Sequence, residues 1–246
     1  MRGFKAFTAR LMAMLTLTGM ALTQAQAETI VIFGASGRIG GEIMQEALSR
    51  GHEVIGVSRS PEKFTVDHPN FKGMAGDVTD PDSFRALVEG ADGVVISVQG
   101  NSEDNDPKKS THAVAAKVAV EVLTGVEDAP YVLEIGGATT LVNDPELMLE
   151  SMPFPAEPGT PMRGMIFGHW EALVNYRAST IDWTVLTPPL QIVNEGPRTG
   201  VYRTSTDGAV RDAEGQSRVS RADLAVAAVD EIEKRQFVGR RFTVGY

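Results

Sequence analysis

Cysteine is absent from this chain of 246 residues. Its absence excludes disulfides, thiolate zinc sites, iron–sulfur clusters and a cysteine nucleophile. A chain without cysteine suits a reducing or an oxidising compartment, so its location has to be inferred from other features. Hydrophobic residues make up 42% of the chain, which is enough to bury a sizeable core. We therefore expect one globular domain, with at most a small appended lobe.

Basic residues are few relative to acidic ones. The chain has 23 Lys and Arg against 32 Asp and Glu, for a formal net charge of -9. This balance disfavours binding to nucleic acid or to anionic membranes. We therefore expect the partner to be a small-molecule substrate. We expect the protein to be a monomer or a homodimer. The four histidines are scattered, and no spacing resembles a metal site. The sequence therefore predicts no metal.

The chain also lacks an apolar run of about 20 residues, the length of a membrane-spanning helix. A shorter run at residues 11–22 follows three basic residues and precedes Ala25-Gln26-Ala27. This order is typical of a secretory signal peptide. We predict a cleaved signal at residues 1–27 and a mature domain at residues 28–246, periplasmic or secreted and without a stable membrane anchor. The alternatives are an uncleaved segment and a misassigned start.

Strand and helix patterns alternate along the mature chain, which predicts an α/β fold of the Rossmann type, a doubly wound parallel sheet. A polar loop at residues 100–109 and a long stretch at residues 141–162 interrupt the alternation. Residues 190–218 are predicted to form a small C-terminal excursion on the substrate side, with a short hairpin. The predicted strands are residues 29–33, 52–58, 71–76, 93–98, 131–136, 183–186 and 241–244, and helices are predicted at 39–49, after 80, near 110, at 165–178 and from 220 to 234.

A glycine-rich turn, GASGRIG at residues 34–40, joins the first predicted strand to the first helix. In such a turn the first glycine permits a sharp bend, the second lets backbone N–H groups approach a pyrophosphate, and the third allows close packing of helix on strand. The turn predicts a dinucleotide site, and the alternative is a βα turn that binds nothing. The predicted pyrophosphate-binding residues are Gly34, Ser36, Gly37, Arg38, Ile39 and Gly40.

The second predicted strand ends in Ser58-Arg59-Ser60. At this position an acidic residue selects NAD, whereas a basic residue accommodates the 2′-phosphate of NADP. Arg59 therefore favours NADP(H) over NAD(H), although it can also be a solvated surface cation. Asp77 and Val78 follow the third predicted strand, where they can contact adenine. The alternative for Asp77 is a turn cap.

These motifs together resemble the atypical, single-domain branch of the short-chain dehydrogenase superfamily, which includes NADH-flavin-reductase-like, biliverdin-IXβ-reductase-like and NmrA-like proteins. The resemblance covers essentially the whole mature chain. It implies that Ser97, Val98 and Gln99 line the nicotinamide-ribose side and that Pro188 meets the nicotinamide. It is carried by residues 34–40, VSRSP at 57–61, GDVTD at 76–80, GGA at 136–138, DWTVL at 182–186, Pro188, RTGVYR at 198–203, GQSRVS at 215–220, DLA at 223–225 and FTVGY at 242–246.

The chain departs from the larger superfamily in lacking a Tyr-x-x-x-Lys pair. Tyr131, Tyr176 and Tyr202 each have no lysine four residues later. The usual tyrosine general acid is therefore missing, which disfavours ordinary carbonyl–alcohol chemistry. Flavin reduction needs little acid–base help, because stacked cofactor rings supply the reactivity.

Several polar and aromatic side chains are candidates for steering a substrate. Thr139 and Thr140 follow the fifth predicted strand, and His169 shares a helix with a tryptophan; these three are the predicted catalytic residues. For each threonine the alternative is a structural role. For His169 the alternative is a surface or capping residue. His112 is likewise either a proton donor or a surface or capping residue. Phe167 and Trp170 can stack on a flat substrate or belong to the core, and Met148, Met152, Met162 and Met165 can line a pocket or fill gaps.

The leading hypothesis is an NAD(P)H-dependent oxidoreductase that reduces a flavin or another conjugated small molecule by hydride transfer. The alternatives are a non-catalytic NADP(H)-binding sensor and an epimerase or dehydratase that retains its nicotinamide. Export conflicts with this reading, because free nicotinamide dinucleotides belong mainly to the cytoplasm. Three resolutions stay open: the signal is not used, the exported protein meets cofactor outside, or the pocket binds a different ligand.

Overall fold

The computed structural model describes residues 27–100, 103–141, 159–206 and 208–246. The predicted signal segment, apart from Ala27, lies outside these residues, as do Met148, Met152 and most of the long stretch at residues 141–162. Within the described ranges, no helix has both the length and the apolar character needed to cross a bilayer.

The main sheet has eight strands in the order β3-β2-β1-β4-β5-β6-β10-β8, and β7 and β9 form a separate parallel pair. All neighbours in the main sheet are parallel except β8, which pairs antiparallel with β10. The strands are β1 Thr29–Phe33, β2 Glu53–Ser58, β3 Phe71–Ala75, β4 Gly93–Ile96, β5 Tyr131–Ile135, β6 Trp183–Thr187, β7 Gln191–Val193, β8 Arg203–Ser205, β9 Arg218–Ser220 and β10 Arg240–Gly245.

Helices cover both faces of the sheet, as its apolar strands require. Alternate residues of β1 enter opposite cores: Val31 and Phe33 lie in the core shared with α2, α3 and α4, and Ile30 and Ile32 lie in the core shared with α1 and α5. The predicted doubly wound α/β fold is confirmed. The helices are α1 Arg38–Ser49, α2 Pro81–Val88, α3 Thr111–Leu123, α4 Pro161–Arg177 and α5 Arg221–Lys234.

The C-terminal excursion differs from its prediction in one respect. No hairpin forms within the described part of residues 190–218, because its strands pair with different partners. β7 pairs in parallel with β9, and β8 joins the edge of the main sheet beside β10. The chain between β7 and β8 is held against helix α5 through the amides of Thr199 and Gly200.

Asp223, in the first turn of α5, provides this hold. Its amide donates to Ser220 Oγ at 3.0 Å, as a capping box requires, but its carboxylate does not return to the Ser220 amide. The carboxylate instead accepts from the amides of Thr199 and Gly200, both at 2.8 Å, and from Tyr246 Oη at 2.7 Å. Burial raises the pKa of Asp223, but hydrogen bonds led by Thr199 and Tyr246 outweigh it and lower the pKa overall.

Asp223→Ala is therefore expected to lower the free energy of unfolding by about 2–4 kcal/mol, because several donors lose a buried charged acceptor. Because the folded pKa is depressed, this contribution is complete at pH 7 and is lost as the pH falls below the unfolded value of about 3.9. Urea unfolding at pH 7 measures the loss. The control is Asp82→Ala, which removes a carboxylate 93% exposed in an ion pair with Arg85 and should cost less than about 0.5 kcal/mol. Equal losses in the two variants would contradict the assigned role.

Candidate functional site

A groove of about 440 Å³ lies at the carboxyl ends of β1 to β4. This is the edge at which open parallel sheets bind their ligands. The groove brings together residues that follow four different strands, as the sequence predicted. The predicted residues that line it are Gly34, Ser36, Gly37, Arg59, Asp77, Val78, Ser97, Val98 and Gln99.

The three glycines of the turn at residues 34–40 differ in what surrounds them. Gly34 has a φ of +83°, and a Cβ there would lie 2.2 Å from the Ser97 carbonyl oxygen. A Cβ on Gly40 would lie 2.3 Å from the Gly34 carbonyl oxygen. At Gly37 the nearest atom is that same oxygen, at 3.1 Å. Packing therefore requires glycine at positions 34 and 40, whereas position 37 leaves the backbone accessible from the groove.

Helix α1 begins within this turn, at Arg38. Its N-cap is Gly37, which provides no side-chain hydrogen bond, and its first turn contains no acidic residue. The first N–H groups of the helix therefore have no side-chain acceptor, which makes this terminus suited to a phosphate group. The groove and the uncapped helix terminus together fit the pyrophosphate of a dinucleotide.

Three of the predicted pyrophosphate residues lie beside the groove instead of lining it. Arg38 is exposed and borders a second groove on the outer side of the turn, together with Lys63 and Arg221. Ile39 packs against the core of α1 and α5, and Gly40 is buried. These three residues therefore contribute to the site through the backbone of the turn and not through side chains that line the groove.

Arg59 is exposed at the rim of the groove, at the end of β2. Asp77 faces the same space. Burial raises the pKa of Asp77, but the hydroxyl and amide of Thr79 and the charge of Arg59 outweigh it and lower the pKa. Asp77 Oδ1 accepts from the Thr79 amide at 2.9 Å and from its hydroxyl at 2.7 Å. Asp77 thus caps its own turn, which is the alternative left open by the sequence.

Comparison with known proteins agrees with this geometry. A family model described as NAD(P)H-binding matches residues 34–235. The chain belongs to this NAD(P)H-binding family. Because the match begins at Gly34, it includes the whole glycine-rich turn.

Solved structures extend the comparison over most of the chain. A candidate exported protein from Burkholderia pseudomallei is 31% identical, with a TM-score of 0.71 over 89% of this chain and 100% of that chain. A candidate epimerase from Bacteroides thetaiotaomicron is 30% identical, with a TM-score of 0.73 over 90% and 98%. A candidate NADH-flavin reductase from Streptococcus pneumoniae is 24% identical, with a TM-score of 0.70 over 89% and 99%, and shows the shared fold.

The two threonines predicted to be catalytic have different surroundings. Both lie in a short 3-10 helix after β5 and are buried. Thr140 Oγ1 donates to the Gly137 carbonyl at 2.9 Å and lies 2.8 Å from Thr187 Oγ1, so its hydroxyl serves the structure. Thr139 Oγ1 is buried without a hydrogen-bond partner. Pro188 is buried after β6 and does not line the described groove.

Trp170 and Phe167, on α4, have different contacts. Trp170 packs against the core and donates its Nε1–H to the Thr139 carbonyl at 3.3 Å. The guanidinium of Arg163 lies 4.4 Å from the ring centroid of Phe167. The core interpretation therefore applies to Trp170, which also fixes the position of the 3-10 helix that carries Thr139.

Two of the four histidines, which are scattered along the chain, lie together in space. His112 at the start of α3 and His169 on α4 have ring centroids 3.8 Å apart, and His112 Nδ1 lies 2.9 Å from Glu134 Oε1. His112 is buried, and His169 is partly exposed with its Nδ1 buried and unpartnered. Neither is the surface or capping residue considered from the sequence, because α3 and α4 pack together and enclose both rings.

Burial governs the protonation of this cluster. It lowers the pKa of His112 to about 4, and burial together with the neighbouring His112 lowers the pKa of His169 to about 3. Burial also raises the pKa of Glu134 to about 7, opposed by a hydrogen bond from Tyr176. Both imidazoles are therefore neutral near pH 7, so neither stores a proton for delivery as an imidazolium.

Sequence reasoning missed Glu134 entirely. The residue lies in β5, Tyr131–Ile135, all five residues of which are buried. A carboxylate inside an otherwise apolar central strand was the available signal, because a buried charge has to be paired or neutralised. Its partners come from α3 and α4, which only the fold brings together.

Proposed function

We propose that this protein is an NAD(P)H-dependent oxidoreductase that prefers NADP(H) and reduces a flavin or another conjugated small molecule by hydride transfer. The proposal rests on the groove at the carboxyl edge of the sheet, where Arg59 lies on the rim beside an uncapped helix terminus. A cation at this position is suited to the 2′-phosphate that distinguishes NADP from NAD.

Within this proposal, the bound nicotinamide supplies the hydride. The first turn of α1 binds the pyrophosphate, Arg59 binds the 2′-phosphate, and Ser97 to Gln99 support the nicotinamide ribose. Each assignment follows the position of the residue relative to a strand end.

The side chains proposed to face the substrate favour a hydride acceptor that can be reduced without a proton donated by the protein. The sequence has no Tyr-x-x-x-Lys pair, and the low pKa of His169 leaves that imidazole neutral. The unpartnered hydroxyl of Thr139 and a neutral His169 can orient an acceptor by hydrogen bonds. Flavins and similar conjugated rings accept a hydride once they are stacked and oriented. The Streptococcus pneumoniae neighbour, a candidate NADH-flavin reductase, is consistent with this class of acceptor.

The cofactor preference is tested by Arg59→Ala. We expect NADPH affinity to fall at least tenfold, about 1.4 kcal/mol, because the 2′-phosphate loses its charged partner, and NADH affinity to change less than about twofold. Fluorescence titration of each dinucleotide measures both constants. Arg38→Ala is the matched control, because Arg38 is exposed but borders the outer groove. An equal loss for NADPH and NADH would show that Arg59 does not read the 2′-phosphate.

Turnover is tested by mixing the protein with NADPH and free FMN without oxygen and following flavin absorbance. A reductase bleaches the flavin at a rate proportional to protein concentration. NADPH that binds without reducing flavins or quinones would favour the non-catalytic sensor instead. One neighbour is a candidate epimerase. An epimerase that retains its nicotinamide consumes no net NADPH, so net consumption of NADPH distinguishes a reductase from this alternative.

We further propose that residues 1–27 direct export and are removed. The Burkholderia pseudomallei neighbour is a candidate exported protein, which supports this. The Glu28 amide donates to His52 Nδ1 at 3.1 Å, so the domain is anchored from the first residue after the proposed cleavage point. N-terminal sequencing of the protein from cells tests this: a start at Glu28 supports cleavage, and a start at Met1 contradicts it.

A further inference from the structure

The buried cluster of His112, Glu134 and His169 is built from three elements: the start of α3, the middle of β5 and the middle of α4. Among the residues that the structure describes, it is the one group of three His, Asp or Glu side chains whose ligand atoms all lie within 4.8 Å of one another. Such a group is uncommon in a core, because each polar atom has to be satisfied.

The hydrogen bonds within the cluster leave it incomplete. Tyr176 Oη donates to Glu134 Oε2 at 2.8 Å, and His112 Nδ1 lies 2.9 Å from Glu134 Oε1. His169 Nδ1 is buried and has no partner. A buried nitrogen without a partner costs stability, so its presence points to a ligand that would complete the cluster.

We propose that His112, Glu134 and His169 bind a divalent transition-metal ion of the Zn²⁺ class. Two neutral imidazoles and one carboxylate are the donor set that Zn²⁺ takes in sites with three protein ligands. Tyr176 acts as the outer partner that orients the carboxylate, as metal-binding carboxylates generally require. This proposal does not rest on the proposed oxidoreductase activity, but a metal bound by His169 would replace the role in orienting the acceptor that is proposed above for that imidazole.

The spacing of the donor atoms is compatible with this assignment. Ligand atoms around a tetrahedral Zn²⁺ lie about 3.4 Å apart. The His112–Glu134 pair is at 2.9 Å, and no two ligand atoms in the group are more than 4.8 Å apart. The donor atoms are therefore grouped tightly enough for a single metal ion to contact all three.

Two glycines give the imidazoles their room. A Cβ on Gly137 would lie 2.5 Å from His169 Cδ2, and a Cβ on Gly100 would lie 2.6 Å from His112 Cδ2. The rings therefore pack directly on backbone after β4 and β5. The proposed metal site therefore lies against Gly100, which directly follows Ser97 to Gln99 of the dinucleotide groove.

The alternative is a metal-free polar cluster in which Glu134 and the histidines share protons. It accounts for the contacts of Glu134 with Tyr176 and His112, but it leaves His169 Nδ1 unpartnered. A bound metal uses the same carboxylate and supplies the missing interaction. The two possibilities differ in whether Zn²⁺ binds and in which residues it perturbs.

The first experiment titrates Zn²⁺ into the untagged, chelator-treated full chain by calorimetry. We expect one Zn²⁺ per chain with a dissociation constant below about 1 μM, at least 100-fold weaker in His169→Gln and about 10–100-fold weaker in Tyr176→Phe. The matched control is His68→Gln, which removes a histidine bonded to the Asn70 amide outside the cluster and should leave affinity unchanged. Absence of binding, or equal affinity in His169→Gln and the wild type, overturns the proposal.

A second experiment needs no variant and so does not depend on variant folding. Imidazole ¹⁵N spectra of the wild-type chain resolve its four histidines, and one equivalent of Zn²⁺ should shift the resonances of His112 and His169 while sparing His68 and His52. Shifts confined to His68 or His52, or none at one equivalent, contradict the proposed site.

Discussion

Gly37→Ala is expected to weaken binding of both NADPH and NADH about 100-fold, or about 2.8 kcal/mol, without unfolding the protein. The backbone at Gly37 has a φ of −82°, which any residue adopts. An added Cβ would meet only the Gly34 carbonyl, at 3.1 Å, so the protein accommodates it by a small shift. The methyl group would nevertheless occupy the space through which the pyrophosphate approaches the N–H groups of α1. Calorimetric titration with each dinucleotide measures the loss.

Gly41→Ala is the control for this experiment. It adds the same methyl group one helical turn later, in ordinary contact with the Ala35 carbonyl at 3.4 Å, and it borders the outer groove. Its affinity for both dinucleotides should remain within about twofold of the wild type. If Gly37→Ala also binds like the wild type, the pyrophosphate does not approach this turn.

Gly34→Ala is expected to act on stability, lowering the free energy of unfolding by about 2–5 kcal/mol. Two costs add. The φ of +83° is unfavourable for a residue with a Cβ, and that Cβ would lie 2.2 Å from the Ser97 carbonyl oxygen. Neither β1 nor β4 can move away freely, because they are neighbours in the middle of the sheet. Thermal or denaturant unfolding of the variant measures the sum.

Gly51→Ala separates these two costs. Gly51 also has a positive φ, +90°, but nothing lies within 4 Å of a Cβ placed on it. This variant carries the dihedral cost alone and should lose about 1–2 kcal/mol. If the two variants lose the same stability, the contact between the turn and the segment after β4 is not tight, and the proposed shape of the groove is wrong.

The parts of the fold that the sequence predicted are mostly those with a local sequence signal. The run at residues 29–33 has the bounds of β1 because an apolar, β-branched segment bounded by glycine is a local signal. Helix α4 begins at Pro161, earlier than predicted, because Thr160 caps it by accepting from the Arg163 amide. The prediction of a hairpin within residues 190–218 was wrong, because these strands pair with other parts of the chain. A local pattern does not reveal such pairing.

The candidate site likewise has one part that the sequence predicted and another part that only the fold reveals. The glycine-rich turn is contiguous, and its strand–turn–helix context identifies it without the fold. Glu134, His112 and His169 come from three elements that meet only when α3 and α4 pack over β5, so spacing along the chain contains no trace of the cluster. The difference between Thr139 and Thr140 is likewise tertiary, since it depends on the contact between Thr140 and Thr187.

The groove at the carboxyl ends of β1 to β4 is proposed to bind NADP(H), and calorimetric titration of the wild-type full chain with NADPH and with NADH tests this most directly. We expect one NADPH per chain with a micromolar dissociation constant and an NADH constant at least tenfold higher, about 1.4 kcal/mol. Saturation by neither dinucleotide at millimolar concentration would contradict the claim.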